Sequence, residues 1–358
     1  MTNFHNRADK LREVLAKHDL DGIYLTYLTN VRYMSGFTGS AGQYILTADD
    51  AWFLTDSRYN TQSHQQVKNA NVNIISKGYL AKIRELDILT KGMKIGFEAP
   101  HMSVKLLNDI QKEFEGVDFQ PTENLPEDLA AVKDMDEIEA LKSAIEITDK
   151  VFDDILKEMK EGSVEQEIAA KMSYLFKMHG ADGDSFDTII ASGKFGALPH
   201  ATPTKKALEK GDFVVMDFGA KYDGYHADMT RTVLVGQPTD RHREIYETVK
   251  GSNLAGIEAA RAGVSGAFVD AACRKFIDDR GYGDKFIHST GHGIGLEVHT
   301  SPRLMKENTE PLVENNVVTI EPGIYIPGFC GVRIEDDCWI RKDHCMPLNR
   351  STKELIII

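Results

Sequence analysis

Five acidic and imidazole side chains scattered between residues 217 and 335 constrain this chain more than any other feature. Asp217, Asp228, His292, Glu321 and Glu335 each sit in a local context typical of a metal ligand. A fold that uses them together must bring distant segments to one place. The first pair lies in Phe213-Val-Val-Met-Asp-Phe-Gly219 and Gly224-Tyr-His-Ala-Asp-Met-Thr-Arg-Thr232, two strand-like runs around a turn that carries Asp223-Gly224. Residues placed symmetrically about such a turn are cross-strand neighbours with β-carbons roughly 5 Å apart. Asp217 and Asp228 are therefore expected to face each other across the hairpin. Two carboxylates that close repel unless something positive lies between them.

Taken alone, the pair reads more readily as a strand cap, Asp217, and an exposed hairpin residue, Asp228, than as a site. The later motifs change the reading. In His288-Ser-Thr-Gly-His-Gly-Ile-Gly-Leu-Glu-Val-His299 three histidines are interleaved with glycines, which allow close approach of backbone to a ligand. Asn316-Val-Val-Thr-Ile-Glu-Pro-Gly323 ends an apolar strand on a glutamate, and Gly331-Val-Arg-Ile-Glu-Asp336 carries another. A carboxylate buried at a strand end without a partner costs several kcal/mol, so it is expected to be paired or metal-bound.

Four carboxylates and one imidazole form a hard, oxygen-rich set, suited to manganese or a similar borderline ion rather than to a cysteine-rich structural zinc. Four carboxylates also carry more charge than one divalent ion needs, which points to two ions sharing ligands. Cobalt and zinc remain compatible. Such a pair serves metal-assisted amide hydrolysis.

At these residues the chain resembles the creatinase and methionine aminopeptidase superfamily, and within it the proline-specific Xaa-Pro aminopeptidase and prolidase group. The resemblance covers nearly the whole chain. It implies that Asp217, Asp228, His292, Glu321 and Glu335 are the metal ligands, with Asp228 and Glu335 bridging. It implies that His200, in Ala197-Leu-Pro-His-Ala-Thr-Pro203, and His299 contact substrate and stabilise the tetrahedral intermediate, with Glu321 a proton shuttle. It places His288 and Arg333 in the substrate pocket. Thr300 departs from the acidic residue usual after the histidine matching His299. The fold implied is α+β: a carboxy-terminal pita-bread catalytic domain preceded by an α/β creatinase-type domain.

The rest of the sequence agrees with an ordinary enzyme. At 358 residues two domains are expected. A net charge of -13 argues against nucleic-acid or anionic-lipid partners. The amino terminus lacks a signal-peptide core, and no run approaches the roughly 20 apolar residues of a membrane span, so a cytoplasmic location is expected. Cys273, Cys330, Cys338 and Cys345 read as reduced thiols.

Strands are expected over 21–26, 42–47, 51–55 and 94–97, with helices over 7–17 and 103–114. Asn30 to Ser40 and Thr55-Asp-Ser-Arg-Tyr59 resemble the amino-terminal domain of the proline-specific members, and taken alone they read equally well as a glycine-rich turn and a polar strand end. Gln120-Pro-Thr-Glu-Asn-Leu-Pro-Glu127 has two prolines and no periodicity, which places the domain boundary there and gives domains 1–125 and 126–358. Ile138, Leu141, Ile145, Phe152, Ile155 and Met159 form the stripe of a long amphipathic helix. Ser163 and Gln166 carry a capping-box signature for the next helix, which ends near Gly180. Further helices are expected over 240–262 and 267–279.

The expected function is an Xaa-Pro aminopeptidase acting on peptides with proline second, as a homodimer. The alternatives are an Xaa-Pro dipeptidase (prolidase) and, more remotely, a non-catalytic pita-bread peptide-binding protein. Gly36-Phe-Thr-Gly-Ser40 with Asp56-Ser-Arg-Tyr59 looks more like the aminopeptidase branch, and no further basic cluster stands out for a terminal carboxylate.

Overall fold

The computed structural model describes residues 4–358. The chain divides into two compact units, Met1–Ala130 and Ala131–Ile358.

The first unit is a six-stranded mixed sheet of β1 (Gly22–Leu25), β2 (Gln43–Thr47), β3 (Ala51–Thr55), β4 (Asn71–Ile74), β5 (Lys94–Glu98) and β6 (Asp118–Thr122), in the order β4-β3-β2-β1-β5-β6. Its helices include Phe4–Lys17 and Val104–Glu113, the second capped by the Ser103 hydroxyl, which accepts from the Leu106 N–H at 3.2 Å. Tyr24, Ile45, Leu54, Ile95, Phe97 and Ile110 fill the core. Within Asn30 to Ser40 the turn reading holds only from Gly36 onward. Leu28–Ser35 is a helix, buried through Val31, Tyr33 and Met34 and ended by Gly36 at φ 76. The proline-bearing segment carries regular structure on both sides of its centre. Pro121 lies on edge strand β6, where no partner needs its missing N–H, and Pro126 stands in the first turn of the helix Leu125–Ala131.

In the second unit, the helix Met135–Leu156 opens on a complete capping box between Asp134 and Glu137. It packs Ile147, Val151, Phe152 and Ile155 with Met172 and Phe176 of the helix Glu165–Met178 against Val214, Met216 and Phe218. Met159 of the expected stripe lies beyond the helix end yet still joins this core. Ser163 does not cap the next helix. That helix starts after Val164 with no side-chain cap, while the Ser163 hydroxyl accepts from Lys160 N at 3.2 Å. A second helix pair, Asp240–Ala259 and Gly266–Asp278, covers Phe213, Val318, Ile320 and Val332.

The strands of this unit carry the residues singled out by sequence. Phe213–Phe218 pairs antiparallel with Met229–Leu234 in a four-stranded sheet, and Gly291–Gly293, Val317–Ile320 and Asp336–Ile340 are neighbours in a five-stranded one. Gly323–Ile326 and Cys330–Arg333 form a separate ribbon.

The register corrects one expectation. Asp223 (φ 44) and Gly224 (φ 72) form a two-residue turn with both φ positive, and that turn pairs Tyr222 with Tyr225 and Asp217 with Thr230. Asp228 therefore stands on the same face as Asp217 but diagonally, about 7–8 Å away rather than directly opposite.

Candidate metal centre and substrate cavity

Asp217, Asp228, His292, Glu321, Glu335, His200, His288, His299 and Arg333 all line one cavity of about 430 Å³. The tightest cluster is Asp228, His292 and Glu335, whose ligand-type atoms lie within 4.8 Å of one another. Glu321 joins through His292, with Oε1 3.4 Å from the imidazole Nε2, and Asp228 Oδ2 lies 3.8 Å from the same nitrogen. Asp217 is held differently: its Oδ2 accepts from Nη2 of Arg333 at 2.5 Å.

The donor set fits divalent cations. Asp217 Oδ1, Asp228 Oδ1 and Glu335 Oε1 are buried carboxyl oxygens with no hydrogen-bond partner among the described residues. Buried carboxylates without donors are unfavourable unless protonated or bound to a cation. Burial first, then mutual repulsion with Glu335, Asp217 and their neighbours, pushes the Asp228 carboxyl well above the usual range, and burial followed by repulsion from Glu321 and Asp217 does the same to Glu335. Glu321 is raised to about 8, chiefly by burial. His292 complements them. Its Nδ1 lies 3.1 Å from the Gly293 carbonyl, an acceptor only, so the proton sits on Nδ1 and Nε2 presents its lone pair to the carboxylates. Burial lowers its pKa to about 3, keeping the ring neutral.

A second layer holds these groups in place. The Thr230 hydroxyl donates to Glu335 Oε2 at 2.6 Å, and Nε of Arg333 donates to that hydroxyl at 2.9 Å. The backbone N–H of Asp228 donates to Asp337 Oδ2 at 2.9 Å. Arg333 also donates through Nη1 to the Tyr325 hydroxyl at 2.8 Å, and that hydroxyl donates onward to His288 Nε2 at 2.8 Å. Nδ1 of His288 donates to the Ser289 carbonyl at 2.7 Å, which fixes its tautomer, and burial lowers its pKa to about 3. The His299 ring lies 4.2 Å from that of His292, and burial lowers its pKa as well. His200 is exposed at the cavity rim.

Three contributors escaped the sequence reading. Thr230 and Tyr325 are ordinary strand residues whose roles arise from register: Thr230 opposes Asp217, and Tyr325 shares a ribbon with Arg333. Arg303 also lines the cavity. Its guanidinium is exposed and makes no hydrogen bond or ion pair among the described residues, and its charge lowers the pKa of His299. The available signal was its position four residues after His299.

Comparison with known proteins places this arrangement. Residues 139–342 match the model of metallopeptidase family M24, and residues 7–132 match the creatinase/prolidase N-terminal domain. An Xaa-Pro dipeptidase of Pyrococcus furiosus is 37% identical over 356 residues, covering 98% of this chain and 99% of that one. Among solved structures, an Xaa-Pro dipeptidase from Bacillus anthracis superimposes with a TM-score of 0.95 at 38% identity, covering 99% of this chain and 100% of the other. An X-Pro aminopeptidase from Thermotoga maritima MSB8 gives a TM-score of 0.91 at 35% identity, covering 98% and 100%. The chain belongs to metallopeptidase family M24, with the α+β pita-bread fold behind a creatinase/prolidase-type amino-terminal domain.

Proposed function

We propose that this protein hydrolyses the bond between an amino-terminal residue and proline, and that its preferred substrate is the Xaa-Pro dipeptide rather than the longer peptides expected from the Gly36 to Ser40 motif. The observation that carries the dipeptide reading is Arg303, an unpartnered guanidinium on the wall of the cavity that holds His292, Glu321 and His299. A free proline carboxylate is its natural complement, since guanidinium matches carboxylate bidentately. Arg333 does not serve this purpose, because four of its five N–H donors are already engaged by Asp217, Thr230, Tyr325 and the Pro199 carbonyl, which leaves no free fork for a bidentate carboxylate. The names of the Pyrococcus and Bacillus relatives support the same reading.

Asp217, Asp228, His292, Glu321 and Glu335 would hold two divalent ions. Manganese suits this carboxylate-rich set best. Ions held there supply Lewis acidity, ionising water near neutral pH and polarising a carbonyl. The chain's own residues do the rest. His200 and His299 hydrogen-bond the carbonyl oxygen as negative charge develops on it. Glu321 takes a proton and delivers it to the departing proline nitrogen. His288, held through the Tyr325 hydroxyl by Arg333, shapes the wall beside the proline ring. The substrate's tertiary amide offers no N–H for backbone pairing, so selection rests on cavity shape and the two chain ends.

In this reading residues 126–358 form the catalytic domain and 1–125 an accessory domain, and the enzyme works in the cytoplasm as a homodimer. The deciding experiment compares kcat/KM for Ala-Pro and Ala-Pro-Gly in wild type and Arg303→Ala. Wild type should favour the dipeptide by tenfold or more. Arg303→Ala should lose about 10- to 100-fold on the dipeptide and little on the tripeptide, the worth of one hydrogen-bonded charge pair. A tenfold wild-type preference for the tripeptide makes the enzyme an aminopeptidase.

A further inference from the structure

Glu165 opens the helix Glu165–Met178, yet its carboxylate does not cap that helix and is wholly buried. Oε1 accepts from the backbone N and the hydroxyl of Ser192, at 2.8 and 2.7 Å. Oε2 accepts from the backbone N and the hydroxyl of Thr204, at 2.9 and 2.7 Å. One carboxylate thus closes the neck of the segment 192–204, using both oxygens and four donors. His200 lies inside that loop, at the cavity rim.

The rest of the loop has its own anchors. The backbone of Gly196 lies so close to Gly331 that a β-carbon at Gly331 would fall 1.7 Å from the Gly196 carbonyl oxygen. Arg333 donates to the Pro199 carbonyl at 3.2 Å. His200 is therefore bracketed, by Arg333 on one side at Pro199 and by Glu165 on the other at Thr204. Releasing the second bracket leaves the loop base packed on Gly331 and the Gln166 N–H still donating to the Thr204 carbonyl at 3.1 Å, so what loosens is the stretch between these anchors, which carries the imidazole. An amide in place of the carboxylate cannot substitute, because its NH₂ group would face an N–H donor.

We propose that Glu165 is a positioning residue for His200: its carboxylate locks the 192–204 loop so that the imidazole is presented to the cavity. This rests on the reading of His200 as a group that touches substrate. The test is a double-mutant cycle on metal-loaded protein with Glu165→Gln and the milder Ser192→Ala and Thr204→Val, each alone and combined with His200→Ala. With His200 present, Glu165→Gln should lower kcat about 10- to 100-fold, a large part of what a misplaced oxyanion donor costs, with metal content unchanged. In the His200→Ala background the same change should cost less than about threefold. Equal losses in both backgrounds overturn the proposal.

Amide hydrogen exchange gives an independent reading. Residues 193–203 should exchange faster in Glu165→Gln while the helix that begins at Glu165 keeps its protection, and unchanged exchange in the loop overturns the proposal. Should Glu165→Gln fail to fold, the two hydroxyl variants carry both measurements. A wild-type protein that hydrolyses no Xaa-Pro substrate defeats the functional reading, and the exchange measurement still decides whether Glu165 holds the loop.

Discussion

Arg333 donates through Nη2 to Oδ2 of Asp217 at 2.5 Å, with both side chains largely buried. That contact ties the ribbon Cys330–Arg333 to the strand Phe213–Phe218 at the metal centre. Asp217 Oδ1 has no partner among the described residues, so one carboxylate oxygen is fixed by a cationic side chain and the other is offered to the cavity. Second-layer partners of this kind set ligand orientation and tune affinity.

Arg333→Lys tests that coupling. Lysine keeps the charge but not the planar fork, so it cannot serve Asp217, Thr230 and Tyr325 together. The expected outcome is a manganese affinity weakened about 10- to 100-fold, measured by calorimetric titration of the metal-free protein. Two ions bound as tightly as in wild type would mean that Asp217 is oriented by something else.

Removing the metals should make stability fall with rising pH. Burial, with Asp217 nearby, raises Glu321 from 4.5 to about 8, and Asp228 and Glu335 are raised in the same direction. For an acid whose folded pKa is raised, the stabilising contribution is complete below the unfolded pKa and is lost as pH climbs through the folded one. Chelated protein should therefore have a lower Tm at pH 8.5 than at pH 6, while metal-loaded protein escapes this loss, and chelation should abolish hydrolysis. Metal-free Glu335→Gln, with one buried carboxylate fewer, should melt above metal-free wild type at pH 8.5, and once metal is supplied it should bind less of it than wild type. A Tm of the chelated protein that rises from pH 6 to 8.5 would refute this account.

The residues proposed as ligands, which the structure gathers in one cavity, stood out in the sequence because their chemistry is unusual in apolar strands: a carboxylate ending Val317–Ile320, or histidines between glycines, has few structural uses. What escaped depended on register and on the turn. Placing Asp217 opposite Asp228 assumed a turn centred one position too early, and the positive φ of both Asp223 and Gly224 shifts the pairing to Thr230. The Ser163 cap failed for a tertiary reason. Val164 bridges to Ala207, and Glu165 is drawn to Ser192 and Thr204, so the chain enters the helix already held by distant partners. Leu28–Ser35 was missed because two later glycines masked a short helix whose apolar face is only Val31, Tyr33 and Met34. Arg303 carries no periodicity at all, and only the cavity shows where it points.

Replacing His200 or His299 by alanine should lower kcat about 10²- to 10³-fold with both metals retained, since each is read as an oxyanion donor rather than a ligand. Metal analysis alongside steady-state kinetics checks both halves of the statement. Loss of metal from His299→Ala would assign that ring, 4.2 Å from His292, to the metal centre instead.

Lys133 offers a prediction away from the chemistry. Its side chain is buried against Gly295, in the loop between His292 and His299, and its ammonium donates to the Ala131 carbonyl at 3.2 Å. Burial lowers its pKa from 10.5 to about 8, with Glu137 offsetting part of the effect. For a base whose folded pKa is depressed, stability is lost as pH falls through the folded value and is fully present only above the unfolded one. Near pH 7 the folded protein thus carries the whole cost of a buried ammonium, at most about 3 kcal/mol from the size of the shift. Lys133→Met fills similar volume without the charge. It should stabilise the protein at pH 7, and its advantage over wild type should shrink as pH rises from 8 towards 10.5. Urea unfolding of both proteins across that range measures the difference directly. A constant difference would mean that Lys133 titrates normally, and that its contact with Gly295 does not desolvate it.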